Sequence, residues 1–107
     1  MIRGTTPQYV LTLANVDLTG MTVYVTIRDS SVKITKTGYE LTVVSQPTGS
    51  TIAFSLSQQE TLSLHEGAAA VQVRFIDASG IARATKIASL PVNRVLLEKV
   101  IEYADTD

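Results

Sequence analysis

The chain has 107 residues, of which 45% are hydrophobic and 18% are charged. This length is typical of one domain and suffices for a continuous core without metal or disulfide support, so we predict a single domain spanning residues 1–107. Nine Lys and Arg against ten Asp and Glu give a net charge of −1. That balance disfavours nucleic-acid binding, which depends on neutralising phosphates. Because the chain has no cysteine, disulfides, a thiol nucleophile and thiolate metal sites are excluded.

The N-terminal residues 1–7 lack the apolar stretch of a signal peptide. No run in the sequence approaches the roughly 18 apolar residues of a membrane helix. We therefore expect no membrane partner, and a protein that stays in the cell that makes it or leaves only as part of an assembly.

Alternating apolar and polar residues, the pattern of a half-buried strand, recur along most of the chain. In the N-terminal half they predict strands at 9–13, 21–28, 32–35 and 39–44. Gly38 separates the last two of these strands, and glycine permits the backbone conformation of a tight turn. The sequence therefore predicts a β-hairpin at Gly38.

The alternation continues in the C-terminal half. A strand is predicted at 52–56, after a turn at 46–49 that contains a proline and a glycine. A further strand at 71–76 is joined by 77–80, with the sequence Asp-Ala-Ser-Gly, to a last, poorly patterned strand at 81–90. The composition of 77–80 predicts a type I turn closed by a glycine bulge.

Two segments depart from the strand pattern. Ser57 and Glu60 have the spacing of a capping box, which predicts one helical turn after Ser57. Near the C-terminus, apolar residues recur at helical spacing, which fits a short helix, with a strand and a frayed tail as the alternative. These residues are Leu96, Leu97, Val100, Ile101 and Ala104.

Short strands separated by turn residues are typical of a sandwich. We predict an all-β fold, an immunoglobulin-like antiparallel β-sandwich of about seven strands with one short helical turn and, in one of the two interpretations above, a C-terminal helix. The cysteines and tryptophan of antibody domains are missing from the sequence.

The sequence contains no convincing catalytic constellation. His65 is the only histidine, and we interpret it as a loop residue, because a metal site or triad would need partners from distant strands. Asp29 and Asp77 follow strands, where an aspartate accepts backbone hydrogen bonds within a turn. Glu60 is interpreted as a helix cap. We therefore expect no enzyme activity, no catalytic or metal-ligating residue and no cofactor.

Surface residues offer two minor signals. The basic residues Arg28, Lys33 and Lys36 lie on one predicted hairpin and are interpreted as a solvated face. Three apolar side chains on nominally polar strand faces would, if exposed, form a sheet surface suited to protein contact: Tyr24, Val44 and Ile76.

The densest terminal cluster of apolar residues is the candidate interaction site. It is either a lid on the core of its own chain, which base rates favour, or an arm that docks on a neighbour. Its members are Val95, Leu96, Leu97, Val100, Ile101 and Tyr103.

Four segments carry a resemblance to a known family: MIRGTTP at 1–7, LSQQETL at 56–62, VQVRF at 71–75 with the turn DASG at 77–80, and VLLEKVI at 95–101. In this order they resemble small proteins encoded among the tail and baseplate genes of tailed phages and prophages of Gram-positive bacteria. The chain is similar to the immunoglobulin-like N-terminal module of their baseplate upper proteins.

The resemblance implies a non-catalytic virion component, made in the cytoplasm of the bacterial host, whose partners are other phage structural proteins or further copies of itself. It carries no expectation of receptor binding, because other regions of those longer chains hold the receptor-binding proteins. The alternative is an immunoglobulin-like binding module of a bacterial surface or secreted protein, which would need an export signal. A small enzyme ranks below both, since no cluster of titratable groups is apparent.

Overall fold

The structure of the protein, a computed structural model, describes residues 1–103. Within them the chain forms eight β-strands, one α-helix and one 3-10 turn. In chain order they are β1 (Gln8–Ala14), β2 (Thr22–Arg28), β3 (Lys33–Thr37), the 3-10 turn (Gly38–Glu40), β4 (Thr42–Gln46), β5 (Gly49–Ser55), α1 (Gln58–Ser63), β6 (Gly67–Ile76), β7 (Ala82–Ala84) and β8 (Ala88–Val92).

The strands form two antiparallel sheets. One has three strands in the order β1-β5-β4, and the other has five, in which β3, β2 and β6 are adjacent and both β7 and β8 pair with the far edge of β6. This arrangement confirms the predicted all-β, immunoglobulin-like sandwich. None of the helices in the described part of the chain is long and apolar enough to cross a membrane.

The core consists of the inward-facing residues of both sheets together with apolar residues from the connections. Because successive strand residues point to opposite faces, the alternation read from the sequence becomes one buried side and one exposed side. The buried apolar residues are Leu18, Val23, Val25, Ile27, Ile34, Leu41, Ile52, Phe54, Leu56, Leu64, Ala69, Val73, Phe75 and Val92.

The predicted hairpin at Gly38 is wrong. Strand β3 pairs with β2 in the five-stranded sheet, whereas β4 pairs with β5 in the other sheet, so the chain crosses between sheets at this point. Gly38 does adopt a positive φ of 60°, but that conformation opens the 3-10 turn. Leu41, the residue after this turn, is buried in the core between the two sheets, so it lies where the chain crosses from one sheet to the other.

The predicted last strand at 81–90 is two strands, which is why the count is eight and not about seven. Between β7 and β8 the pairing register with β6 shifts by one residue, which is a β-bulge. Thr85 occupies the break: its N–H donates to the carbonyl of Val73 at 2.9 Å, and its hydroxyl accepts from the Val73 N–H at 3.1 Å. The side chain thus replaces a ladder bond that the bulge removes.

The turn at 77–80 and the capping box are confirmed. The Gly80 N–H donates to the Asp77 carbonyl at 3.1 Å, and Gly80 has a φ of 85°. At α1 the Glu60 N–H donates to Ser57 Oγ at 3.1 Å, and the Ser57 N–H donates to Glu60 Oε1 at 2.9 Å. The helix extends beyond the single predicted turn, to Ser63.

Lys36 corrects the interpretation of the basic residues as a solvated face. It lies opposite the fully buried Val25, so its side chain points inward, and Nζ lies 2.8 Å from Glu60 Oε1 and 3.8 Å from Glu40 Oε2. Burial of Glu60 would raise its pKa, but hydrogen bonds from Lys36 and Ser57 and the Lys36 charge lower it below its usual value.

The described end of the chain forms neither of the two predicted structures. Asn93 makes a parallel bridge with Ile2, and residues 94–103 contain no helix or strand. A helix this short is marginal unless its apolar face packs against a neighbour, and here that face finds none. Ala104, the last residue of the predicted helical repeat, lies outside the described residues.

Candidate interaction surface

The N-terminal residues close the end of the sandwich beside the last strand. The Met1 ammonium donates to the Pro91 carbonyl at 2.9 Å, and the Asn93 N–H donates to the Met1 carbonyl at 2.6 Å. The Arg3 N–H in turn donates to the Asn93 carbonyl at 3.1 Å. These bonds fix the start of the chain to the point where β8 ends.

Thr61 joins this N-terminal stretch to α1. Its side chain is fully buried, and Oγ1 accepts a hydrogen bond from the Gly4 N–H at 2.9 Å. The hydroxyl can donate to the Thr5 carbonyl at 2.8 Å or to the Gln58 carbonyl at 3.2 Å. One hydroxyl therefore satisfies backbone groups of the N-terminal stretch that would otherwise lack a partner.

Arg3 connects α1 to the C-terminal segment, which we define as residues 95–103. Its Nη2 donates to the Leu62 carbonyl at 2.7 Å, and its Nη1 lies 3.4 Å from Glu98 Oε2. Within the described residues, the buried Nε of Arg3 has no hydrogen-bond partner. The side chain is mostly buried, so it holds Glu98 from a fixed position.

Gln58, the first residue of α1, holds the C-terminal segment at a second point. Its Nε2 donates to the Ile101 carbonyl at 2.9 Å, and its Oε1 accepts from the Ile101 N–H at 2.8 Å. A side-chain amide carries the same donor and acceptor as a peptide group, so this pair imitates one step of a β-ladder. The backbone at Ile101 is thereby positioned without joining a sheet.

Most apolar side chains of the C-terminal segment are exposed. Val95 is half-buried near Gly4, but the other five predicted interaction residues are between 49% and 94% exposed, with Leu96 at 90% and Tyr103 at 94%. They do not cover the core, so the lid interpretation does not describe this structure. The segment is held by its backbone and by Glu98, with its apolar side chains free.

Gly4 supports this arrangement and provides a prediction. It has a φ of 78°, and a Cβ built there would lie 3.3 Å from Leu62 Cδ2 and 3.8 Å from Val95 Cγ2. We expect Gly4→Ala to lower the free energy of unfolding by about 1–2 kcal/mol through backbone strain, with a further loss from crowding Leu62. Urea denaturation measures the change.

Gly20→Ala is the matched control for Gly4→Ala. Gly20 has a similar φ of 73°, but nothing lies within 4 Å of the added Cβ. Both variants place alanine at a positive φ and lose stability through backbone strain. The difference between their free energies of unfolding therefore measures the packing of Gly4 against Leu62 and Val95. Equal losses of stability in the two variants would contradict the proposed close packing at Gly4.

The outer side of the five-stranded sheet forms a second surface. Tyr24 and Ile76 come together there around a shallow concavity of about 370 Å³ that Lys33 and Arg74 also line. Tyr24 is exposed and Ile76 is half-buried. Val44 is exposed on β4 of the other sheet, so the three apolar residues singled out in the sequence do not form one surface.

His65 lies in a turn structure and not in a catalytic arrangement. Asp29 Oδ2 accepts from the His65 N–H at 2.9 Å and lies 3.0 Å from His65 Nδ1, and Ser31 Oγ lies 3.3 Å from the same Nδ1. A triad places the acid and the hydroxyl on opposite ring nitrogens, whereas both meet Nδ1 here. Among residues 1–103, no group of three His, Asp or Glu side chains is placed to hold a metal ion.

Sequence reasoning located the exposed segment but missed Arg3, Gln58 and Thr61, which hold it in place. The contacts of Gln58 with Ile101 and of Thr61 with Gly4 span 43 and 57 residues, and no local pattern announces such pairings. One signal was present: Arg3 lies in the motif at 1–7, and the other two lie in the motif at 56–62.

Comparison with protein-family models and with curated proteins finds no match to this chain.

Proposed function

We propose that the protein is a non-catalytic structural component of a tailed phage or prophage particle, in the tail or baseplate region, that packs against other virion proteins through its C-terminal segment. The observation that carries this proposal is the segment itself: five large apolar side chains stay exposed while Arg3 holds the Glu98 side chain and Gln58 holds the backbone at Ile101.

Physical chemistry supports a role in packing. Burying one fully exposed large aliphatic or aromatic side chain contributes roughly 1.5–3 kcal/mol. The five side chains of the segment still expose 49% to 94% of their surface, so covering them favours association. Because the backbone at Ile101 is already bound by Gln58, less conformational entropy is lost when a partner covers the segment. The segment is thus suited to protein contact.

The location of the family-like motifs also supports the proposal. Residues 1–7, 56–62 and 95–101 are far apart in the sequence, yet Thr61, Arg3 and their partners bring all three to one end of the sandwich. Motifs that meet at one surface are more readily explained by a shared role there than by three separate turns.

Immunoelectron microscopy of particles from a producing strain tests this function. We expect an antibody against the protein to label the tail or baseplate region of purified particles. A protein that is abundant in the lysate but absent from purified particles would contradict a virion role, and detection on the surface of intact cells would favour the bacterial binding module.

A variant pair sharpens the same experiment. Leu96→Glu replaces a 90% exposed side chain, so it leaves the fold intact but places a charge in the packing surface, and we expect incorporation into particles to fall. Val44→Glu is the control, because it makes the same type of change at an exposed apolar residue of β4, away from the segment. Equal incorporation of both variants would rule out packing through the C-terminal segment.

A further inference from the structure

The outer side of the five-stranded sheet is positively charged. Strand pairing places Lys33 opposite Arg28, and Tyr24 opposite Arg74, all on the side away from the core. No outward-facing residue of these strands is acidic, and among the described residues none of the three basic side chains lies within ion-pair distance of a carboxylate. We call this surface, with Tyr24 and Ile76, the cationic face.

The end of the chain has the opposite charge. Residues 98–107 contain one basic residue, Lys99, and four acidic residues, a net charge of −3. Since the whole chain has a net charge of −1, residues 1–97 carry +2. Residues 98–103 of the C-terminal segment therefore belong to an acidic stretch, whereas the rest of the molecule is basic.

We propose that the C-terminal segment of one copy docks on the cationic face of a second copy. Glu102 would pair with Lys33 or Arg74, and an exposed apolar side chain such as Leu96 would enter the concavity beside Tyr24 and Ile76. Opposite charges on the two surfaces guide association and set its register, and the apolar contact contributes most of the affinity.

The dimensions allow this contact. Because β7 and β8 share one edge of β6, the five-stranded sheet is four strands wide at any point. With strands about 4.8 Å apart, the face is roughly 15–20 Å wide. Nine extended residues span at most about 30 Å, so residues 95–103 can cross the face from edge to edge. Glu98 and Ile101 are held against Arg3 and α1 of their own chain, which presents the free side chains outward to a neighbour.

The contact joins two different patches. It closes a dimer if two copies exchange segments reciprocally, and otherwise it forms a ring or an open chain of copies. This inference deepens the proposed function and rests on it in taking the C-terminal segment as the packing element. It names a second copy of the chain as the first partner.

Sedimentation velocity of the purified chain over a wide concentration range tests the inference. We expect concentration-dependent association that weakens as salt screens the charges. A chain ending after Val95 should stay monomeric. This end point retains the buried Val92 and the Asn93 bridge to Ile2, so the sandwich keeps its last strand. If the shortened chain does not fold, the full-length double variant Leu96→Ser, Leu97→Ser takes its place in this test.

Charge reversal on the cationic face provides the second test. Lys33→Glu with Arg74→Glu should weaken association by roughly tenfold or more, because like charges then face the acidic segment. Arg83→Glu with Lys86→Glu is the matched control: Arg83 lies opposite the inward-facing Phe75, so it does not belong to the cationic face. The control should associate as the unchanged chain does.

Mixing the two defective forms separates this model from other modes of association. The chain ending after Val95 keeps its cationic face, and the Lys33→Glu, Arg74→Glu variant keeps its segment. At a concentration where the unchanged chain just associates, neither form should associate alone, but an equimolar mixture should form one-to-one complexes. A mixture that stays monomeric, or a face variant that associates normally, would overturn the inference.

Failure of the self-association and failure of the virion role give different results. A chain that is monomeric at every concentration but labels particles would refute only the self-association. A chain that associates as described but is absent from particles would refute only the virion role.

Discussion

Replacing Thr61 with valine is expected to lower the free energy of unfolding by about 2 kcal/mol. Valine matches the shape of threonine but removes the hydroxyl that accepts from the Gly4 N–H and donates to the Thr5 or Gln58 carbonyl. Because this site is fully buried, water cannot replace the lost bonds. Denaturant unfolding of both proteins measures the loss.

The functional consequence of Thr61→Val lies in the N-terminal stretch. Without the hydroxyl, residues 1–7 are joined to α1 mainly by the bond from Arg3 to the Leu62 carbonyl, and Arg3 then holds Glu98 less firmly. We expect amide hydrogen exchange at Gly4 and Ile101 to be faster in the Thr61→Val variant than in the unchanged chain, with a smaller change in the core strands. Thr61→Ser keeps the hydroxyl but removes the methyl group, so it should lose much less stability than the valine variant. A serine variant that loses as much stability as the valine variant, or more, would contradict the dominant role of these hydrogen bonds.

The strands were predictable because alternation reports which side of a strand is buried. It does not report which strand is the partner. At Gly38 a positive φ is compatible with both a hairpin and a crossing, and the choice depends on Leu41 entering the core between the sheets. Likewise, the bulge at Thr85 depends on hydrogen bonds to Val73, which is a feature of the pairing and not of residues 81–90 alone.

Short motifs were predicted well where the interactions are local. The capping box of Ser57 and Glu60 and the turn at Asp77 involve residues no more than four apart. Lys36 was misread because Glu60, the nearer of its two ion-pair partners, lies 24 residues away, on a different element. Local hydrogen-bond chemistry is visible in a sequence, whereas the direction of one long side chain depends on the tertiary fold.

For the candidate site too, the sequence predicts the local feature, which is the position of the segment, but not its conformation. Apolar density near the C-terminus identified the segment, but helical spacing favours a helix only when a surface buries its apolar side. Here the Ile101 backbone binds Gln58 and the apolar side chains are exposed. The conformation therefore depends on one distant amide, and no pattern within residues 93–104 contains that information.

Replacing Asp29 with alanine is expected to lower the free energy of unfolding by about 3 kcal/mol near neutral pH, the largest effect of any single change proposed for this chain. Its carboxylate accepts from the N–H groups of Ser31 at 2.8 Å, Val32 at 2.7 Å and His65 at 2.9 Å, and it also contacts His65 Nδ1. It thus joins the β2–β3 turn to the loop before β6. Asp77→Ala is the matched control and should cost about 1 kcal/mol, because its two bonds lie within one exposed turn.

The loss should also depend on pH. Burial of Asp29 acts to raise its pKa, but the backbone hydrogen bonds from His65, Ser31 and Val32 and the bond from the His65 side chain outweigh burial and hold the pKa well below the usual value of about 3.9. A pKa that is lower in the folded state means that the carboxylate contributes its full stability above the unfolded pKa and loses it as pH falls through the folded pKa. The stability difference between the unchanged chain and Asp29→Ala should therefore be constant from about pH 5 to 7 and narrow below about pH 4. Urea titrations at each pH measure it. A difference that stays constant down to the lowest pH at which the chain folds would mean that the charge of Asp29 does not stabilise this junction.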